Sequence, residues 1–217
     1  MLDILYEDKY IIAVKKEPGM LSEEAQSADS IPYLIKAEKG ITAHTLHRLD
    51  KPVGGVIIYA KDSRSAAAFS RLIAENGLTK KYLAVTDGIP AEKEGRMCDL
   101  LFKDSRKNKT FVVNRMRKGV KEASLTYKTL EADDKNALVI VTLETGRSHQ
   151  IRAQFASRKT PLTGDGKYGS RNNRCNVALF SHSVAFRHPF TKETLCIEAE
   201  PDFNVYPWSI FRKENGI

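Results

Sequence analysis

Short apolar runs rich in β-branched and aromatic residues recur along this chain, and turn-forming residues separate them. Runs of this length and composition are typical of β-strands. Because these runs do not alternate regularly with helical segments, the pattern predicts an α+β fold around a mixed, mostly antiparallel central sheet flanked by helices and loops. The runs are Tyr10–Val14, Val56–Ala60, Tyr82–Val85, Phe111–Val113, Ser124–Leu130, Leu138–Leu143 and Cys196–Ala199.

Two segments predict longer helices. The first begins after a capping Asp62 or Ser63, whose side-chain oxygen can accept a backbone N–H, and it stops at Gly77. The second is expected to begin at Ser148, again as the capping residue, and to end near Arg158.

Basic side chains outnumber acidic ones, 35 Lys and Arg against 27 Asp and Glu, which gives a formal charge of +8. Such an excess favours a polyanionic partner, because each neutralised phosphate releases condensed counterions. Two groups of basic residues flank the apolar run Phe111–Val113: a first basic cluster, Lys103–Lys109, and a second basic cluster, Arg115–Lys121. Two solvated hairpin loops would give the same pattern, so an RNA-binding surface and plain solvated loops both remain open.

Several classes of protein do not fit the composition. No apolar stretch approaches the roughly 20 residues that cross a bilayer as a helix, and the acidic start of the chain lacks the plan of a signal peptide. We therefore expect a cytoplasmic protein. The odd number and wide spacing of Cys98, Cys175 and Cys196 argue against a disulfide framework or a zinc site.

The segment from His44 to Lys61 holds the most concentrated set of reactive side chains. Arg48, Asp50 and Lys51 precede a turn rich in Pro and Gly, which leads directly into an apolar strand. Loops held by a rigid strand are favoured places for reactive groups. The plain structural alternative is a surface ion pair between Arg48 and Asp50, worth less than about 1 kcal/mol.

The same segment allows a metal site as a further hypothesis. His44, His47 and Asp50 are spaced three apart, and on a helix they would share one face. Pro52 disfavours helical geometry just before it, and the β-branched residues that follow favour a strand. A metal-dependent hydrolase is therefore the weaker hypothesis.

The segment His47–Asp50, followed by Gly55 and an apolar strand, resembles the His-Arg-Leu-Asp motif of the RluA-type RNA pseudouridine synthases. This chain has Val53-Gly54-Gly55 where that family usually has Thr-Ser-Gly. It also has Phe180-Ser181 where the family commonly has His-Ala, and an inserted pair, Lys16-Glu17, in the family's Lys-Pro-x-Gly turn. Further segments match the family in order, over about residues 4–200: Leu5–Gly19, Lys80–Val85, Thr145–Arg152, Gly164–Gly169 and Phe186–Thr191.

The resemblance implies roles for individual residues. It implies that Asp50 is the catalytic nucleophile, that Tyr82 is the active-site tyrosine, and that Arg152 pairs with the catalytic carboxylate. It implies neither a metal nor an organic cofactor. The residues expected to bind RNA or the substrate uridine are Arg48, Lys80, Arg147 and His149.

The expected architecture is a single pseudouridine synthase catalytic domain over residues 1–217, without a separate N-terminal RNA-binding domain. The expected partner is structured RNA, either tRNA or rRNA, and the protein is expected to act as a monomer. A non-catalytic RNA-binding protein on the same fold is the alternative. The presence of Asp50, Tyr82 and Arg152 disfavours it, because a protein that only binds RNA has no need for all three.

Overall fold

The computed structural model describes residues 1–27 and 29–212. Within these two ranges the chain forms both strands and helices. None of the helices in these ranges is long and apolar enough to cross a membrane. In chain order the elements are β1 (Asp3–Glu7), β2 (Ile11–Lys16), α1 (Ile31–Lys39), β3 (His44–Thr45), β4 (Gly54–Ala60), α2 (Ser63–Ala74), β5 (Leu78–Asp87), β6 (Glu94–Asp104), β7 (Lys109–Val113), β8 (Val120–Ala132), β9 (Asn136–Leu143), α3 (Gln150–Ser157), β10 (Leu179–Arg187) and β11 (Thr194–Glu198), with short 3-10 helices at Gly166–Tyr168 and Trp208–Phe211.

The chain divides into two compact units. The first comprises residues 1–81 and 180–201, and the second comprises residues 82–179 and the segment that starts at Asp202. Both units contain segments that are distant in sequence, so neither can be assigned to one half of the chain. The expectation of a single catalytic domain stays a prediction.

The sheet of the first unit has the strand order β1-β2-β4-β10-β11, with the short β3 also paired to β4. Strand β10 runs parallel to β4, and the other pairs are antiparallel. All seven residues of β4 are buried, which agrees with its near-continuous apolar sequence, because a strand covered on both faces lacks polar alternation.

Helix α2 packs its apolar face on the sheet of the first unit. Asp62 caps it by accepting the N–H of Ser65 at 2.7 Å, as the sequence predicts. Phe69 lies fully buried on this face, edge-on to Phe186 with ring centroids 5.4 Å apart. The buried members of this core are Ile11, Ala13, Val56, Ile58, Phe69, Leu78, Val184, Phe186 and Ile197.

The second unit is built on strands in the order β5-β9-β8-β6-β7. The pairs β9–β8, β8–β6 and β6–β7 are all antiparallel. Helix α3 contacts β6 and β7, and Phe155 of this helix is completely buried. The mixed, mostly antiparallel sheet flanked by helices confirms the predicted α+β class.

Two sequence-based expectations on secondary structure need correction. The predicted strands are all present, but β1, β3, β6 and β10 were not among the seven predicted runs. Polar or charged residues interrupt the apolar character of β6 and β10. Helix α2 ends at Ala74 rather than continuing to Gly77. The left-handed residue that follows is Asn76, with φ of 58°, while the N–H of Gly77 closes on the carbonyl of Leu72 at 2.8 Å.

Candidate active site

The loop that carries Asp50 connects β3 to β4 in the first unit. Its Leu49 is buried, and Ser22 holds the backbone there on both sides: the Leu49 N–H donates to Ser22 Oγ at 3.2 Å, and that hydroxyl donates to the Leu49 carbonyl at 2.8 Å. The N–H of Val53 then donates to the carbonyl of Asp50 at 2.9 Å, which closes a turn just before β4. The loop therefore presents Asp50 from a constrained backbone.

A buried lysine lies beneath this turn. Lys16 is 0% exposed at the end of β2. Its Nζ lies 2.6 Å from the carbonyl oxygen of Val53, 3.1 Å from that of Lys51 and 3.4 Å from that of Asp50. A fourth carbonyl, of Glu17, lies 3.3 Å away. Burial lowers the pKa of Lys16 to about 8, and the nearby Asp50 opposes that effect.

Two glycines at the start of β4 allow close packing behind the loop. A Cβ at Gly54 would lie 3.1 Å from the carbonyl oxygen of Lys16 and 3.3 Å from the ring of Phe180. Gly55 has φ of +113°, and a Cβ there would lie 2.3 Å from the carbonyl oxygen of Ser181. Two of the residues that depart from the family pattern, Gly54 and Phe180, therefore pack against each other.

The helical premise of the metal hypothesis is wrong. His44 belongs to strand β3, and His47 lies in a bend after it, where its Nε2 accepts the N–H of Ile58 at 3.3 Å. Burial, together with the charge of Lys80, lowers the pKa of His47 to about 3, so its ring is neutral at physiological pH. His47 therefore supports the loop as a neutral acceptor.

Arg48 forms its ion pair with Glu23 rather than with Asp50. The Nη1 to Oε1 distance is 2.7 Å, and the two side chains are 59% and 62% exposed. An exposed pair of this kind contributes little to stability. The role of Arg48 in RNA binding stays a prediction.

Strand β5 carries the two predicted site residues Lys80 and Tyr82. Lys80 is half-buried, and burial lowers its pKa. Tyr82, two residues on, is only 6% exposed.

The segment Thr145–Arg152 enters helix α3 in a different way from the one predicted. His149, not Ser148, is the residue before the helix, and it adopts a left-handed conformation with φ of 51°. Gln150 closes the turn instead, because its Oε1 accepts the N–H of Arg147 at 3.0 Å and the hydroxyl of Thr145 at 2.8 Å. A non-glycine residue with positive φ costs free energy and is concentrated at functional sites.

Arg147 and Arg152 have contrasting environments on this segment. Arg147 is exposed, and its Nε donates to the carbonyl of Glu122 at 3.0 Å. Arg152 is buried and forks onto Asp165, with Nε to Oδ2 at 2.7 Å and Nη2 to Oδ1 at 2.8 Å. The exposed arginine suits a solvent-borne phosphate, whereas the buried arginine is held in one orientation.

Tyr168 covers the buried arginine within the second unit. Its ring centroid lies 5.1 Å from the guanidinium carbon of Arg152. Its hydroxyl accepts the N–H of Thr110 at 2.8 Å and lies 2.9 Å from Nδ1 of His149. Burial raises the pKa of Tyr168, so the hydroxyl stays protonated.

The sequence-based prediction of the site missed Lys16 in the first unit, and Asp165 and Tyr168 in the second unit. A signal existed for two of them, because Asp165 and Tyr168 belong to the segment Gly164–Gly169 that resembles the family. Lys16 gave a weaker signal, since it adjoins other charged residues and three of the four carbonyls around its Nζ lie more than 30 positions away in sequence.

Comparison with known proteins identifies the family. A family model described as RNA pseudouridylate synthase matches residues 10–157. The chain is 30% identical over 239 residues to tRNA pseudouridine synthase C of Haemophilus ducreyi, covering 95% of this chain and 96% of the relative. It is also 30% identical over 214 residues to ribosomal large subunit pseudouridine synthase C of Buchnera aphidicola, covering 92% of this chain and 67% of the relative.

A solved structure shares the fold. The human RNA pseudouridylate synthase domain containing 4 superposes with a TM-score of 0.76 at 24% identity, covering 93% of this chain and 89% of that chain. The match of the family model over residues 10–157 includes Asp50, Tyr82 and Arg152. The chain therefore belongs to the RNA pseudouridylate synthase family, whose members are enzymes that isomerise uridine in RNA to pseudouridine.

Proposed function

We propose that this chain isomerises a uridine in a loop of tRNA or rRNA, with Asp50 as the nucleophile. The observation that carries the assignment is the anchored turn of Asp50, whose backbone carbonyls surround the buried ammonium group of Lys16. A nucleophile must be held in one geometry to react efficiently, and such an anchor serves that need.

The reaction breaks the bond between N1 and C1′ of uridine and forms a bond between C5 and C1′. The C5 proton leaves, N1 takes up a proton, and no net oxidation or reduction occurs. Asp50 attacks as a carboxylate, either at C1′ or at C6. Arg152, assigned to this carboxylate by the resemblance, favours its charged form. Tyr82 stacks on the uracil and assists the removal of the C5 proton. No step calls for a metal or an organic cofactor.

RNA binding is assigned to exposed and half-buried polar side chains. Arg48 fills the gap that an extruded base leaves or grips the flanking phosphate. Lys80, Arg147 and His149 contact the substrate nucleotide or its neighbours. The two basic clusters add long-range attraction for the phosphate backbone, as the charge of +8 suggests.

The relatives do not decide between tRNA and rRNA as the substrate of this chain. One relative is named for tRNA and another for the large ribosomal subunit. Sequence-specific recognition of RNA favours unpaired bases in loops, because the major groove of an RNA helix is too narrow for side chains. The proposal includes a monomeric, cytoplasmic enzyme whose two units form one catalytic domain.

Loss of the C5 hydrogen gives a direct assay. RNA transcribed with uridine tritiated at C5 releases tritium to water when pseudouridine forms. Purified protein is incubated with bulk tRNA and with rRNA from cells that lack the enzyme and were grown with uridine tritiated at C5, and the modified positions are mapped. We expect release from one class of RNA at one or a few positions. No release from either class would refute the proposed substrate.

A further inference from the structure

We propose that Asp165 is a positioning residue that sets the orientation of the Arg152 guanidinium. The proposal deepens the proposed function and rests on the part assigned there to Arg152. Asp165 lies in the loop after helix α3, 13 residues beyond Arg152. It does not touch the reacting atoms in this proposal, and it acts only through the arginine.

The contact between the two side chains has the geometry of a fork. Both residues are buried, with side-chain exposures of 6% for Arg152 and 1% for Asp165. The two carboxylate oxygens accept from Nε and Nη2 at 2.7 Å and 2.8 Å. A two-point contact fixes the plane of the guanidinium as well as its position. It uses two of the five N–H groups, and the other three point away from Asp165.

The loop that holds Asp165 is itself constrained. Gly164 has φ of +79°, and a Cβ there would lie 2.3 Å from the carbonyl oxygen of Asn176. The N–H of Asp165 donates to the carbonyl of Leu162 at 3.0 Å, and its own carbonyl accepts from Tyr168 and Ser170. The carboxylate is therefore presented from a backbone that has little freedom to move.

Tyr168 restricts the guanidinium from a further direction. Its ring centroid lies 5.1 Å from the guanidinium carbon, a distance at which a cation and an aromatic ring attract. The backbone N–H of Thr110 donates to the Tyr168 hydroxyl at 2.8 Å, and this bond keeps the ring in place. Asp165 and Tyr168 belong to the same loop, so a single segment orients the arginine both from its edge and from its face.

The charge of Asp165 matters as well as its shape. A buried guanidinium needs an opposite charge, and a carboxylate supplies both the charge and two acceptors. Asn at position 165 would keep the shape but supply one acceptor and no charge. The arginine would then turn away from its present plane, and a misplacement of about 1 Å can reduce a rate by on the order of a hundredfold.

The test compares Asp165→Asn with Asp99→Asn, each alone and each combined with Arg152→Lys. Asp99 is a matched control, because it pairs at 2.9 Å with Arg158, the residue that follows helix α3. Single-turnover tritium release, the Kd for RNA and the Tm are measured for every variant. We expect Asp165→Asn to lower the single-turnover rate about thirtyfold or more, with the Kd within about threefold of wild type. Asp99→Asn should retain the wild-type rate.

The combined variants distinguish positioning from a separate structural role. If Asp165 acts through Arg152, adding Asp165→Asn to Arg152→Lys should lower the rate by less than about threefold further, because coupled residues are not additive. A further thirtyfold loss in the Arg152→Lys background would overturn the proposal.

Two other results also decide the matter. If Arg152→Lys lowers the single-turnover rate while Asp165→Asn keeps the wild-type rate, the positioning role is refuted and the proposed function stands. A wild-type rate for Arg152→Lys refutes the role assigned to Arg152 and with it the positioning role of Asp165, whereas the isomerase activity itself would stand. If Asp165→Asn does not fold, Asp165→Glu is measured instead, because it keeps the charge and shifts the carboxylate by one methylene. A loss of rate of about tenfold in folded Asp165→Glu supports the proposal, and an unchanged rate contradicts it.

Discussion

Replacement of Lys16 by Met removes the amine that binds the backbone carbonyls of the Asp50 turn. Two opposing effects determine how this substitution changes the free energy of unfolding. Keeping the charged amine buried costs free energy: burial lowers its pKa from 10.5 to about 8, which corresponds to about 3 kcal/mol. Removing the amine ends that cost. It also leaves the carbonyl of Val53 without the Lys16 donor, at about 1–3 kcal/mol, whereas the carbonyl of Lys51 still accepts the N–H of Gly19 at 2.8 Å.

The two effects nearly cancel, so we expect the free energy of unfolding of Lys16→Met to lie within about 2 kcal/mol of wild type. The rate should respond very differently. The turn that carries Asp50 loses the group that its carbonyls surround, and a displacement of about 1 Å can lower the rate on the order of a hundredfold. Met retains most of the volume of the lysine chain, so a large cavity is not left behind.

Lys15→Met is the matched control. Lys15 is the preceding residue on β2, it is half-buried, and its Nζ lies 5.8 Å from the centroid of the Phe180 ring. Both variants lose one positive charge, so both should lose the same small amount of RNA affinity. Urea unfolding and single-turnover tritium release are measured for each. A Lys16→Met protein that is folded and reacts within threefold of Lys15→Met would refute the positioning role of Lys16.

Three further predictions follow from the geometry. Gly55→Ala should destabilise the protein by about 3 kcal/mol or more, because the added Cβ would meet the Ser181 backbone. Gly19→Ala, at φ of +98° in open space, should cost only about 1–2 kcal/mol. Equal losses of stability in urea unfolding would contradict the clash with Ser181. Arg147→Lys should weaken RNA binding more than it slows single turnover, the reverse of Arg152→Lys; identical binding-only defects in both would show that Arg152 has been given the wrong role. The Kd for RNA should rise steeply with KCl, with a log–log slope of about 3 or more; a flat response would exclude the basic clusters as the RNA footprint.

The class of fold could be predicted because strand-forming runs are local in sequence. All seven predicted runs correspond to strands, and Asp62 caps α2 as expected. Strand β10 escaped prediction because its buried polar residues find partners that only the fold supplies. Ser181, for example, donates to the carbonyl of Val56 at 2.9 Å, 125 positions away.

The site could be predicted only as far as its motifs extend. The comparisons confirm the family, whereas the roles of Asp50, Tyr82 and Arg152 stay predictions. The start of α3 was assigned to the wrong cap, since His149 precedes the helix in a left-handed conformation and the side chain of Gln150 accepts the N–H of Arg147 at 3.0 Å. Lys16 was taken as part of an insertion because a buried lysine and an exposed one look alike in a sequence. The contacts that distinguish them join residues more than 30 positions apart.

The central claim is that the carboxylate of Asp50 is the nucleophile, and Asp50→Asn tests it most directly. The amide keeps the shape of the side chain and removes the charge that attacks the uridine. Single-turnover tritium release is measured at saturating enzyme, with Asp99→Asn as the control for the same chemical change elsewhere in the chain. The account predicts no detectable release from Asp50→Asn, an RNA Kd within about threefold of wild type, and normal release from Asp99→Asn. An Asp50→Asn protein that retains even a tenth of the wild-type rate would contradict it.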